Sequence, residues 1–154
     1  MKKEELLNIL ENRYKDIHQM FTYREYSYFY NPNNILPRGV YFATIKESDG
    51  INDKASNLDR DGVYRLSFGL SKKTYERLFG AKPKRPLKGK IVDTRDDFTA
   101  FNILTPHPIY AWMGWVQILN PKLEQLSMIT ELLDERYEIV KNEFSKKIIR
   151  KIKA

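Results

Sequence analysis

From Leu126 onward, Leu126, Ile129, Leu133, Tyr137, Val140, Phe144 and Ile148 recur at spacings of three and four residues. That period gathers them into one apolar stripe along a long helix, with Lys and Arg turned outward at its far end. A helix that is apolar on one side needs a broad apolar partner to stay folded in water. The rest of the chain has to supply that surface. Asn120-Pro121 opens the helix, with Asn as cap and Pro at the first helical position.

Two more helices are expected. Lys3 to Arg13 is amphipathic, with Leu6, Leu7, Leu10 and Tyr14 at helical spacing and Glu4, Glu5 and Glu11 between them. Ser71 is an N-cap for a short helix over Lys72 to Phe79, and Gly80 its C-cap. Strand formers occupy Thr22 to Tyr30, Val40 to Lys46 and Val63 to Gly69, then Phe101 to Leu104 and Trp115 to Leu119. The order α-β-β-β-α-β-β-α predicts an α+β fold. It would be a mostly antiparallel sheet of about five strands with an N-terminal helix, one short middle helix and a long C-terminal helix. No run of βα units supports a doubly wound parallel sheet.

The 154 residues suit one domain, 1–154, with a basic C-terminal helix end at 146–154. A chain of this length buries roughly 70% of its surface and folds without a metal or disulfide. It has no cysteine and two histidines, His18 and His107. That excludes a disulfide scaffold, a thiolate nucleophile, an Fe–S cluster and a Cys-type zinc site. Acidic residues follow the first lysines at once, and no stretch approaches the ~18 apolar residues of a membrane span. The expected location is cytoplasmic.

The formal net charge is +7. Segment 82–95 has six cations and one anion, and segment 146–153 has five cations and no anion. Each is therefore net +5, and the remainder is −3. Lys82, Lys84, Arg85, Lys88 and Lys90 in the loop, with Lys147, Arg150 and Lys151 in the tail, are candidate phosphate contacts. They support an alternative reading as a nucleic-acid-binding protein. The plainer reading is a solvated loop and a solvated helix end.

Familiar chemical signatures are absent. Lys88-Gly-Lys lacks the glycine spacing of a phosphate loop, and Phe68-Gly-Leu-Ser lacks the pattern of a nucleophile elbow. No His-x-x-x-His or carboxylate set offers metal ligands, so neither metal nor cofactor is implied. The segment Leu104 to Val116 is the most distinctive. Pro106 and Pro108 hold the chain extended around His107, and Tyr110, Trp112 and Trp115 follow. A fixed imidazole of near-neutral pKa can act as general acid or base, which gives a second alternative, an enzyme using His107. The competing reading is a histidine that bonds the backbone at the start of a strand. Asn57 and Arg60 form a polar cluster in the connector before the third strand, where Arg60 can grip a carboxylate or phosphate or pair locally. Tyr26, Tyr28 and Tyr30 alternate and are expected to pack in the core.

Ala55-Ser-Asn-Leu-Asp-Arg60, Gly62-Val-Tyr-Arg-Leu66, Ser71 to Gly80 and His107-Pro-Ile-Tyr110, with Trp115-Val-Gln-Ile-Leu-Asn-Pro121, occur in this order. The set, spanning Tyr23 to Tyr137, resembles a bacterial domain-of-unknown-function family of small single-domain proteins. The Trp-bearing strand followed by a helix more distantly resembles MmcQ/YjbR-like proteins, α+β domains suspected of binding DNA. These resemblances imply a fold rather than an activity. The leading expectation is a module that binds an unknown small ligand or protein, without standard catalytic apparatus. Asn57, Arg60, His107, Tyr110 and Trp115 would form its site.

Overall fold

The computed structural model describes all 154 residues. Three helices form where capping and periodicity place them. Helix α1, Lys3–Asn12, buries Leu6 and Leu10, one turn apart, and carries Glu4 and Glu5 in its first turn. Helix α2, Lys72–Phe79, is capped by Ser71, whose Oγ accepts the Thr74 N–H at 3.1 Å. Helix α3, Leu126–Lys153, buries Ile129, Leu132, Leu133, Arg136 and Val140. Its entrance differs from expectation. A 3-10 turn, Leu123–Gln125, precedes it, and Asn120 does not cap it. The Asn120 side chain instead accepts the Tyr64 N–H and donates to the Gly62 carbonyl, fastening two strand ends together.

The sheet has six strands rather than about five: β1 Ile17–Thr22, β2 Glu25–Tyr30, β3 Val40–Lys46, β4 Arg65–Gly69, β5 Thr105–Pro106 and β6 Trp115–Leu119. Their order is β1-β2-β3-β4-β6-β5, and every neighbouring pair is antiparallel. The expected strand from Thr22 is two strands. Tyr23 and Arg24, at φ 52° and 60°, turn the chain between Thr22 and its partner Glu25. The third expected strand starts at Arg65, because the Tyr64 N–H is taken by Asn120. Phe101–Leu104 is not a strand. Phe101 makes one isolated bridge to Leu119, and Asn102 at φ 64° bends the chain, so pairing resumes only at Thr105.

Side chains alternate between the two faces of a sheet. On one face Tyr28, Phe42, Ala43, Ile45, Leu66, Phe68, Val116 and Ile118 join the buried helix residues in the main core. Tyr30 stacks edge-on against Tyr137 and Phe144 of α3, at 5.6 and 5.3 Å, so the tyrosine row packs as core. The other face is covered by the connectors around residues 47–64 and 92–104, and it is largely polar, with Leu58, Val63 and Leu119 forming a small apolar cluster at one end.

Candidate functional site

Ser27, Thr44, Ser67, Gln117 and Thr105 stand opposite one another on five adjacent strands, forming one polar rung across the sheet. All five are buried. A buried polar row is costly unless its groups find partners. Ser27 Oγ meets the Tyr41 hydroxyl at 2.8 Å. Gln117 accepts from Ser56 Oγ at 2.9 Å and donates to the Phe98 carbonyl at 3.1 Å. Thr105 donates to the Pro106 carbonyl. Ser67 Oγ, in the middle, has no partner.

The adjoining rung is charged: Glu25, Lys46 and Arg65 are opposite one another on β2, β3 and β4. Asp53 reaches in from the connector. It takes two hydrogen bonds from Arg65, at 2.9 and 2.5 Å, and lies 3.5 Å from Lys46 Nζ. Arg65 is 1% exposed and also donates to Ser56 Oγ, while its Nε has no acceptor. Burial alone would raise the Asp53 carboxyl. The hydrogen bonds and charge of Arg65 outweigh burial and hold it well below the usual carboxylate range.

The 105–115 segment delivers His107 to this face. Its N–H donates to the Trp115 carbonyl, continuing the β5–β6 pairing by one residue. His107 is 2% exposed, and its Nδ1 accepts the N–H groups of Ile109 and Tyr110 at 3.1 and 3.2 Å. The ring thus caps the turn that Pro108 begins and the 3-10 turn Ala111–Met113 completes. With Nδ1 accepting, the proton of the neutral ring is on Nε2, which makes no hydrogen bond within the chain. Burial depresses the His107 pKa well below its ordinary value, and Arg65 pushes the same way against Asp53. Tyr110 is 45% exposed with its ring 5.0 Å from the imidazole. Trp115 is buried, edge-on to Tyr41 at 5.7 Å and 5.3 Å from the guanidinium of Arg136.

Asn57 and Arg60 organise the covering connector. Asn57 is left-handed at φ 51°. Arg60 donates to the carbonyls of Asn57, Ser56 and Thr99 and lies 4.8 Å over the Phe101 ring. It also lines an open groove of about 800 Å³ with Arg24, Glu47, Asp59 and Tyr64. His107, Tyr110 and Trp115 are not in that groove's wall. The link between the two groups runs through Ser56, whose carbonyl holds Arg60 and whose hydroxyl meets Gln117 and Arg65.

The basic segments lie apart. The 82–95 loop joins the β5 side, where the Val92 N–H donates to the Pro108 carbonyl and Arg85 lies over Trp112 at 4.6 Å. The tail reaches the connection between β2 and β3, where Lys151 donates to the Ile35 carbonyl. Lys82, Lys84, Arg85, Lys88 and Lys90 thus sit on a different part of the molecule from Lys147, Arg150 and Lys151, with Gly89 against Asn52 of the connector. No group of three or more His, Asp or Glu side chains is placed to hold a metal ion, and no helix is long and apolar enough to cross a membrane.

Arg65, Asp53, Ser67 and Arg136 are the site residues that sequence reasoning did not single out. Comparison with curated proteins and with solved structures finds no match to either. A family model, described as "Family of unknown function (DUF6194)", matches residues 1–148, and with nearly the whole chain covered the protein belongs to that family.

Proposed function

We propose that the protein is a binding module for a small polar molecule, seated on the polar face of the sheet beside the 105–115 segment. The carrying observation is the buried polar rung that meets the charged Lys46–Asp53–Arg65 cluster while Ser67 Oγ and Arg65 Nε have no partners. Tyr110 and Trp115 supply aromatic contacts, and His107 supplies an N–H donor from Nε2. Its depressed pKa keeps the ring neutral near pH 7, so it acts as a donor rather than a carrier of protons. Asn57 and Arg60 serve the site indirectly, by holding the connector whose Ser56 braces Gln117 and Arg65.

The test is a thermal-unfolding screen of the full chain against nucleotides, sugar phosphates, amino acids and carboxylic acids. A ligand at 100 times its Kd adds about 2.7 kcal/mol, which raises Tm by roughly 5–10 °C for a chain of this size. Tyr110 is half exposed, so Tyr110→Ala is expected to leave the unliganded Tm within about 2 °C and to abolish the ligand's shift. The reading fails if no compound stabilises the protein, or if Tyr110→Ala responds to the active compound as the parent does.

A further inference from the structure

Arg136 is a charged residue in the apolar stripe of α3, and it is 7% exposed. Its side chain enters the sheet where β3 continues past the last β3–β4 pair, Ala43 with Phe68. There Nε donates to the Phe42 carbonyl and Nη2 to the Tyr41 carbonyl, and the guanidinium lies against the Trp115 ring. It forms no ion pair with any carboxylate of the chain. A buried cation without a counter-ion is costly, and two carbonyls and a π face offset only part of that cost.

Gly69 is where two donors converge, and only a residue without a Cβ lets them approach the strand. A Cβ placed on it would lie 2.8 Å from Arg136 Nη1 and 2.9 Å from Trp115 Nε1. Neither nitrogen donates a hydrogen bond within the chain. Two idle donors therefore flank the bare side of one glycine. Ser67, two residues earlier on the same strand face, holds the unpartnered hydroxyl, and His107 Nε2–H and Arg65 Nε are idle on that face too. The unpartnered groups on the sheet itself can all donate; the one buried carboxylate oxygen without a partner, Glu135 Oε2, belongs to a side chain already held by Ser71 and Thr74 at the start of α2. Such a set calls for an acceptor, not a cation or a second donor. Arg38, exposed and over Phe29 at 5.8 Å, adds positive charge near Tyr41.

We propose that an oxyanion, the carboxylate or phosphate of a small molecule, binds beside Gly69, bridging Arg136 Nη1 and Trp115 Nε1. This deepens the binding reading above and shares Trp115 with it, but it does not depend on Tyr110.

The chain has two tryptophans, so 15N-labelled full-length protein gives two indole N–H signals, assigned with Trp112→Phe. Sodium acetate and sodium phosphate are titrated separately against sodium chloride at matched ionic strength. The Trp115 signal is expected to shift saturably with at least one oxyanion and not with chloride, while Trp112 stays still; the stronger of the two identifies carboxylate or phosphate. Arg136→Lys, which keeps the charge but loses the fork, is expected to weaken binding about tenfold. If that variant does not fold, Trp115→Phe keeps the ring and removes the donor, and its oxyanion-dependent gain in Tm is expected to vanish. The proposal is overturned if Trp115 moves no more than Trp112, if chloride acts equally, or if the folded variant binds as the parent does. Oxyanion binding with a failed Tyr110→Ala screen would defeat the binding reading alone. A ligand found in that screen that binds independently of Arg136 and Trp115 would defeat this proposal alone.

Discussion

Burial, and after it the charge of Arg65, decides how His107 titrates, and two backbone N–H groups converge on its Nδ1. Protonating Nδ1 would set a donor against two donors, in a buried site already facing Arg65. The folded pKa is accordingly depressed. As pH falls below the ordinary histidine value near 6.5, the unfolded chain takes up a proton that the folded chain refuses. The contribution is complete above that pH and is lost below it, with a slope of at most about 1.4 kcal/mol per pH unit. His107→Asn is expected to flatten the decline between pH 7 and pH 5, because the Asn Oδ1 can accept the same turn N–H groups without titrating. Urea unfolding at the two pH values measures this, and an unchanged slope in the variant would refute it. The capping role was legible in the sequence, since prolines and the following turn are local. The approach of Arg65 and Asp53 was not, because it depends on strand pairing far along the chain. Arg136 did leave a trace, as one cation between Leu132 and Val140 in an otherwise apolar stripe.

The clearest gap between sequence and structure among the elements is the β1–β2 hairpin. A two-residue turn with both residues left-handed normally shows itself as Asn-Gly or Asp-Gly, since other side chains resist positive φ. Here Tyr23 and Arg24 occupy it at φ 52° and 60°, so nothing local separates the two strands and they read as one. Tyr23 is 92% exposed and Arg24 is exposed as well, so little packing depends on either side chain. Replacing the pair, Tyr23→Asn with Arg24→Gly, is expected to stabilise the protein by about 1–2 kcal/mol and raise Tm by roughly 2–8 °C. A calorimetric Tm at or below the parent's would mean that the side chains support the hairpin in some other way. Helix α2 is the opposite case. Its cap, its length and its terminating glycine are all local signals, and it falls where they place it. The two-residue strand β5 carries no such signal, because two positions show no periodicity.

Across the whole molecule, one sheet serves two unlike environments. The helix face is apolar, and its alternation was readable in β2 and β4, while β3 and β6 are nearly continuous apolar runs. The same alternation implies that the polar positions face water, yet Ser27, Thr44, Ser67 and Gln117 are buried. Two irregular connectors cover them, and no period announces where a connector will lie. Besides the bonds of Ser56 and Gln117, the charged tie from this cover to the sheet is Asp53, between Arg65 and Lys46. Removing one partner from a buried charge cluster leaves the others uncompensated, so Asp53→Asn is expected to cost about 3–5 kcal/mol. Replacing Arg65 as well removes the stranded charge it would otherwise leave. The double variant, Asp53→Asn with Arg65→Met, is therefore expected to recover at least half of that loss. Denaturant unfolding of the two single variants and the double variant measures the coupling. Simple additivity would mean that Asp53 acts on the fold through the connector backbone and not through its pairing with Arg65. The pairing also predicts acid sensitivity, because a depressed carboxyl stabilises the fold above the ordinary Asp pKa near 3.9 and loses that contribution as pH falls through its folded value. Asp53→Asn should be free of that loss, which lies at lower pH than the one assigned to His107.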